Sequence, residues 1–186
     1  IVHTDIYDAF VEKFVEKMQS LKVGDPTDPD TDVGPLATES GRDEIAKQVD
    51  DAVAAGAKVR LGGKTPDQPG WFYPPTVVTE ITKDMALYTE EVFGPVASMY
   101  RASGIDEAIE IANATTFGLG SNAWTNDEAE QERFIDDIEA GQVFINGMTV
   151  SYPELAFGGV KRSGYGRELA GLGIRAFCNA KTVWVG

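Results

Sequence analysis

A carboxylate and an aromatic ring stand two residues apart at Glu91 and Phe93, directly before the turn-forming pair Gly94-Pro95. In an extended chain, side chains two residues apart point the same way. A carboxylate accepts two hydrogen bonds from a vicinal diol such as a ribose, and a ring packs on a flat heterocycle. The spacing therefore indicates a site for a ligand with a diol and a flat ring. The structural alternative is that Gly94-Pro95 only sets the entry into the next strand.

A second segment, residues 157–168, reads F-G-G-V-K-R-S-G-Y-G-R-E and holds four glycines in nine residues. Glycine permits close backbone approach and positive φ angles. One interpretation is that a packed core needs these glycines. The other is that the segment forms the wall of a site, as is typical of a glycine-dense loop beside basic residues.

Other candidate motifs lack the context that their chemistry needs. Cys178 is the only cysteine and His3 the only histidine, which excludes an internal disulfide and a Cys/His zinc site, so no metal site is expected. Cys178 has no neighbouring base and is interpreted as a small buried hydrophobe rather than a nucleophile. The G-x-G-x-x-A run at residues 118–123 follows a helical pattern and precedes a strand pattern, the reverse of a dinucleotide-binding turn.

The net charge of −14, from 30 acidic and 16 basic residues in 186, argues against nucleic-acid binding. The charge is uneven, at −17 over residues 1–150 and +3 over residues 151–186. The basic end either reflects chance or faces an anionic ligand. No apolar run reaches the roughly 18–20 residues that span a bilayer, and no signal peptide is present, so we expect a cytoplasmic protein without membrane contact.

Hydrophobic periodicity predicts the elements that position these segments. We expect helices over residues 4–21, with Thr4 or Asp5 as the cap, over 38–55 and 105–112, and a fourth that Asn126 caps. Strand patterns occupy residues 58–61, 76–78, 96–100, 121–124, 142–145 and 181–185. Strands that alternate with helices predict one layered α/β domain with a largely parallel sheet.

Four motifs together resemble the C-terminal half of the aldehyde dehydrogenase superfamily. They are E-E-V-F-G-P-V (90–96), N-A-T-T-F-G-L-G-S-N-A-W-T-N-D (113–127), G-Q-V-F-I-N-G (141–147) and F-G-G-V-K-R-S-G-Y-G-R-E-L (157–169). All four occur in the family's order and spacing, and the resemblance extends over nearly the whole chain. It implies a three-layer αβα catalytic domain of an enzyme that oxidises aldehydes with NAD or NADP.

The resemblance also implies roles for individual residues. Glu91 matches the glutamate that holds the nicotinamide ribose, and Phe93 matches the ring beside the nicotinamide. Phe157 matches an aromatic residue of the aldehyde tunnel, and Asn146 lies where the strand enters the substrate loop. The family's nucleophilic cysteine, its general-base glutamate and its Rossmann-type cofactor domain are expected upstream of Ile1. The chain therefore contains no catalytic residue, and alone it should be inactive.

The loop over residues 146–154 is similar to that of succinate-semialdehyde dehydrogenases. Ser151 matches a serine that binds the substrate's distal carboxylate, and the alternative is that it is only a polar loop residue. Two further alternatives are another small aldehyde, of betaine or lactaldehyde type, and a non-catalytic unit for folding and oligomer contact. Family members are typically homodimers or tetramers, with the strand near residues 182–185 in subunit contacts.

Overall fold

The computed structural model describes all 186 residues, which form two compact units, Ile1–Ala114 and Thr115–Gly186. The first unit contains β1 (Val2–His3), α1 (Tyr7–Gln19), α2 (Glu39–Ala54), β2 (Lys58–Leu61), β3 (Thr76–Thr79), α3 (Ala86–Thr89), β4 (Val96–Ser98), β5 (Arg101–Ala102) and α4 (Ile105–Asn113). The second contains β6 (Phe117–Gly118), β7 (Ser121–Ala123), α5 (Glu128–Asp137), β8 (Val143–Ile145), β9 (Val160–Lys161) and α6 (Ala170–Ala176).

Strand β3 is the centre of the first unit. It pairs antiparallel with β2 and parallel with β4, while β1 pairs parallel with β5. Val77 packs in one apolar cluster with Tyr7 and Val11 of α1, and Val78 packs in another with Val49 of α2. Because successive side chains of a strand point to opposite faces, the two helices cover both faces of β3. The predicted α/β class with helices in the outer layers is confirmed.

Helix α2 forms where its periodicity predicts it. The Thr38 hydroxyl accepts a hydrogen bond from Gly41 N (3.1 Å) and caps the first turn. Ile45 and Val49 are buried one turn apart on the side that packs in the core. Gly56 follows the helix at a φ of 111°, a conformation that glycine adopts without strain.

The second unit is built on a parallel pair, β7 and β8, with α5 between them along the chain. Strands β6 and β9 pair antiparallel. The cap of α5 is Asp127, whose carboxylate accepts from Ala129 N (2.9 Å) and Glu130 N (3.2 Å), so the prediction of Asn126 as the cap is wrong by one residue. Both residue types cap helices well, and sequence alone does not distinguish adjacent candidates.

Two other predictions, the tail strand and the cap of the first helix, also differ from the structure, and helix α6 lies outside the predicted elements. Residues 181–185 form no strand and are exposed, because a strand needs a hydrogen-bonding partner and none pairs with them. Helix α1 begins at Tyr7, after a turn in which Ile6 N donates to His3 O, so neither Thr4 nor Asp5 caps it. Helix α6 was not expected, since its two glycines disfavour helix. None of the helices combines the length and apolar character that a membrane span needs.

Val49 and Val53 lie one turn apart on α2, and their exposures of 0% and 43% make them a matched pair. Val49→Ala should lower the free energy of unfolding by about 2 kcal/mol, because it removes buried methyl groups and leaves a cavity. Val53→Ala should change it by less than about 0.5 kcal/mol. Urea unfolding monitored by circular dichroism measures both, and equal effects would contradict the packing of α2 on β3.

Candidate cofactor and substrate sites

Loop 90–95 of the first unit carries Glu91 and Phe93. Val92 is half-buried against the α2 cluster, whereas Glu91 and Phe93 are exposed, Phe93 to 80%. Exposed and half-buried side chains alternate along residues 91–93, so Glu91 and Phe93 both point away from the core, as the two-residue spacing predicts. The Gln48 amide on α2 donates to Glu91 O (3.5 Å), which ties the loop backbone to the helix.

Gly94 and Pro95 anchor this loop on the sheet. A side-chain carbon at Gly94 would collide with Ile45 Cδ1 of α2, so any larger residue here would have to displace this buried methyl group. Pro95 O accepts a hydrogen bond from Thr76 N (2.8 Å) at the start of β3. The pair therefore sets the entry into β4, and the same anchoring holds the Glu91 and Phe93 side chains in place.

The second unit contains a pocket of about 380 Å³ beside Ser151 and Phe157. Its walls are mainly apolar and come from β8 and from the loop after it: Gln142, Val143, Phe144, Ile145, Val150, Tyr152, Leu155, Ala156 and Phe157. Phe157 lines the pocket directly. Ser151 does not, but both of its sequence neighbours do, and it is exposed with a hydroxyl that has no hydrogen bond in the chain.

Gln142 also lines the pocket, although no role was predicted for it within the G-Q-V-F-I-N-G motif. Its Nε2 donates to Gly158 O (3.4 Å), while its Oε1 is buried without a hydrogen-bond partner. A buried acceptor of this kind is costly unless a ligand or water satisfies it. Gln142 therefore lines the pocket wall, while its Oε1 is shielded from solvent and has no partner in the chain.

The loop that contains Ser151 begins at Asn146, directly after β8. Its φ is 55°, a left-handed conformation that asparagine tolerates better than most residues. Its side-chain Oδ1 accepts from Thr125 N (3.0 Å) and its Nδ2 donates to Thr125 O (2.9 Å), while its own backbone N donates to Ala123 O (2.8 Å). Asn146 thus ends β8 and fixes the direction in which loop 146–154 leaves the strand.

The glycine-rich segment is packed tightly on its neighbours. A side-chain carbon at Gly141 would collide with Gly158 O, and one at Gly159 would collide with Ser163. Only Gly164 among the four glycines of residues 158–166 has a positive φ, at 111°. Close approach therefore accounts for Gly158 and Gly159 and the positive φ for Gly164, whereas Gly166 has open space beside it. The same packing forms the backbone next to Phe157.

The single cysteine is not placed for catalysis. Cys178 is exposed after α6, so the expectation of a buried thiol is wrong, and its Sγ lies 3.7 Å from Ile174 O with no base beside it. His3, the only histidine, belongs to the first unit. No group of three or more His, Cys, Asp or Glu side chains in the chain is arranged to hold a metal ion.

A separate pocket of about 380 Å³ lies in the first unit, and no sequence motif indicated it. Three tyrosines line it. Burial raises the pKa of Tyr7 and of Tyr100, and their hydroxyls donate to Met99 O (3.2 Å) and Leu87 O (2.7 Å) respectively. The Arg101 guanidinium lies 4.0 Å from the centre of the Tyr7 ring. These contacts give the pocket wall a structural role at the junction of β4, β5 and α1.

The chain is similar to a curated relative from Mycolicibacterium paratuberculosis that is described as succinate-semialdehyde dehydrogenase (NADP(+)). It is 90% identical over 186 residues, which are 100% of this chain and 39% of that protein. The chain thus spans about two fifths of the length of the curated relative that it matches.

Two solved structures share the fold. Succinic semialdehyde dehydrogenase from Streptococcus pyogenes, in complex with NADP+, superimposes with a TM-score of 0.92 at 38% identity, covering 99% of this chain and 40% of that one. Betaine aldehyde dehydrogenase from Staphylococcus aureus, in complex with NAD+, gives a TM-score of 0.88 at 33% identity over 95% and 36% of the two chains. The sequence profile described as "Aldehyde dehydrogenase family" matches residues 1–183. The chain belongs to the aldehyde dehydrogenase family.

Proposed function

We propose that the protein carrying this chain is an NADP-dependent succinate-semialdehyde dehydrogenase, and that the chain is the C-terminal part of its catalytic domain. The observation that carries this proposal is the 90% identity, across all 186 residues, to a relative described by that activity and cofactor. The substrate loop and the segment around Glu91 both lie within the compared region. The 33% identity to a betaine aldehyde dehydrogenase leaves another aldehyde as the alternative.

The exposed side chains of loop 90–95 fit the nicotinamide end of such a cofactor. The Glu91 carboxylate makes no hydrogen bond or ion pair within the chain, and the Phe93 ring is 80% exposed, so both side chains are free to meet a ligand. Glu91 would accept hydrogen bonds from the ribose hydroxyls, and Phe93 would pack beside the nicotinamide. The bound cofactor supplies the acceptor for the hydride. We propose NADP because the relative's description names it.

The pocket in the second unit fits an aldehyde with a short carbon chain and a distal carboxylate. Its apolar walls would hold the carbon chain, and the free Ser151 hydroxyl at its edge would donate to the carboxylate. The nucleophilic cysteine and the general-base glutamate are proposed to lie upstream of Ile1, since Cys178 has no base beside it. The role of this chain is to bind and orient, and alone it should not turn over aldehyde.

We also propose that the parent enzyme is a homodimer or tetramer and acts in the cytoplasm. The tail that follows α6 supports an oligomer, because large apolar side chains are exposed there, with Trp184 at 88%. Phe177 and Val183 are exposed in the same stretch. An unpaired apolar segment with high strand propensity is suited to pair with the edge of another sheet.

Steady-state kinetics of the full-length enzyme test the function and Ser151 together. We expect the highest kcat/KM with succinic semialdehyde and a preference for NADP. Ser151→Ala should raise KM for that substrate by about tenfold or more, since a hydroxyl bonded to a carboxylate contributes about 1.5–3 kcal/mol and about 1.4 kcal/mol corresponds to a factor of ten. An uncharged aldehyde of equal length is the control and should be little affected. A higher kcat/KM with betaine aldehyde would replace the proposed substrate, and equal effects on both aldehydes would remove Ser151 from the site.

Glu91 and its neighbour Glu90 form a matched pair for the cofactor site, since both are exposed. Glu91→Gln should raise Kd for NADP severalfold, because a neutral amide accepts hydrogen bonds from ribose hydroxyls less strongly than a carboxylate. Glu90→Gln should leave it within about twofold. Cofactor titrations by fluorescence measure the two affinities, and equal losses would contradict the assignment of Glu91.

Removal of residues 181–186 from the full-length enzyme tests the tail. Light scattering should show a shift from a dimer or tetramer to smaller species, because the exposed apolar segment would no longer pair with another subunit. The single substitution Lys181→Gln, in the same stretch but without loss of apolar surface, should preserve the mass. An oligomer that survives the deletion would contradict a role for this segment.

A further inference from the structure

Arg167 is a half-buried cation that forms no ion pair in the chain. Its Nη1 donates to Gly159 O (2.7 Å) and Gly166 O (2.8 Å), with Tyr165 O at 3.5 Å. All three acceptors are backbone carbonyls of the glycine-rich segment. Hydrogen bonds from a charged donor are about twice as strong as neutral ones. Arg167 therefore acts on the conformation of this segment.

The segment that Arg167 holds begins at Phe157. Phe157 N donates to Glu168 O (2.8 Å) and Glu168 N donates to Phe157 O (2.7 Å), which closes the base of the segment. Gly158 lies between Phe157 and the guanidinium contacts. A side-chain carbon there would collide with Gly166 O and lie 2.9 Å from Arg167 Cδ. The Arg167 side chain is thus packed against the residue that follows Phe157.

Phe157 in turn lines the pocket proposed for the aldehyde. A shift of the backbone at residues 157–159 would move the ring and change the pocket. Arg162 in the same segment has different contacts, since its guanidinium lies 4.9 Å from the Phe117 ring centre and its Nη1 is 3.5 Å from Thr116 Oγ1. A comparison of Arg167 and Arg162 variants therefore distinguishes an effect on Phe157 from a general loss of positive charge.

We propose that Arg167 is a positioning residue, which holds Phe157 in the wall of the aldehyde pocket by binding the Gly159 and Gly166 carbonyls. This role rests on the proposed function, because the pocket is assigned to the aldehyde there. Arg167 does not line the pocket, so it would not touch the aldehyde. It sets aldehyde affinity through the backbone, so its loss should change KM more than kcat.

The first test compares Arg167→Met, Arg167→Lys and Arg162→Met in the full-length enzyme. Arg167→Met should raise KM for succinic semialdehyde roughly fivefold or more, with a smaller change in kcat. Arg167→Lys should recover part of this loss, since an ammonium still donates but lacks the planar fork. Arg162→Met should stay within about twofold of the parent. A fall in kcat alone, equal for every aldehyde, would reduce Arg167 to a general structural role and overturn the proposal.

The second test is independent of activity. Hydrogen–deuterium exchange of the full-length enzyme should show that the Phe157 and Glu168 amides, which are hydrogen-bonded to each other's carbonyls, exchange faster in Arg167→Met and Arg167→Lys than in Arg162→Met. Unchanged exchange in both Arg167 variants would overturn the positioning role. If exchange increases but the parent does not oxidise succinic semialdehyde, the proposed substrate fails while the control of Phe157 by Arg167 stands.

Discussion

Burial of β3 on both faces is the constraint on which the first unit depends. All four of its residues are buried, including Thr76 and Thr79, so their hydroxyls must find partners inside the protein. Thr76 Oγ1 donates to Pro74 O (2.8 Å) and accepts from Gly63 N (2.9 Å), and Thr79 Oγ1 donates to Lys58 O (3.2 Å). The strand is therefore fixed by apolar packing and by side-chain hydrogen bonds. Loop 90–95 is anchored at the start of this strand, so the exposed Glu91 and Phe93 side chains depend on its burial for their position.

The second unit has no strand that is buried on both faces, so the backbone beside its pocket is held in another way. Its pocket wall is held by polar side chains that satisfy backbone groups. Asn146 binds both backbone groups of Thr125, and Arg167 binds carbonyls of the glycine-rich segment. Each of these bonds fixes a backbone position next to the pocket without placing a polar group in it. The walls can therefore stay apolar while their position is determined by hydrogen bonds.

Elements whose patterns reflect their own burial were predicted well from the sequence. Helix α2 follows its apolar spacing and its threonine cap, and β3 follows a β-branched run after two prolines. The tail at residues 181–185 has the composition of a strand but no partner in the chain, and composition does not contain that information. The sequence does not predict the side-chain partners of Arg167 and Gln142, because a side-chain donor in a loop or strand binds backbone carbonyls at no fixed sequence spacing: Arg167 binds Gly159 and Gly166, and Gln142 binds Gly158. The role assigned to Ser151 rests on resemblance, and that of Glu91 rests on its spacing to Phe93 and on resemblance. The structure adds that both side chains are free of internal partners.

The uneven charge has a structural explanation that bears on substrate recognition. Three of the five bases in residues 151–186 are engaged within the second unit: Lys161 with Glu139 (2.6 Å), Arg162 with the Phe117 ring, and Arg167 with backbone carbonyls. Bases that are held in this way do not form a free positive surface for an anion. A substrate carboxylate near this pocket would therefore meet the neutral Ser151 hydroxyl, and a neutral donor binds a carboxylate less strongly than a guanidinium does. Under the proposed function, selection for a charged aldehyde would therefore need a cation other than these three, such as Arg175, Lys181 or a residue of another part of the protein.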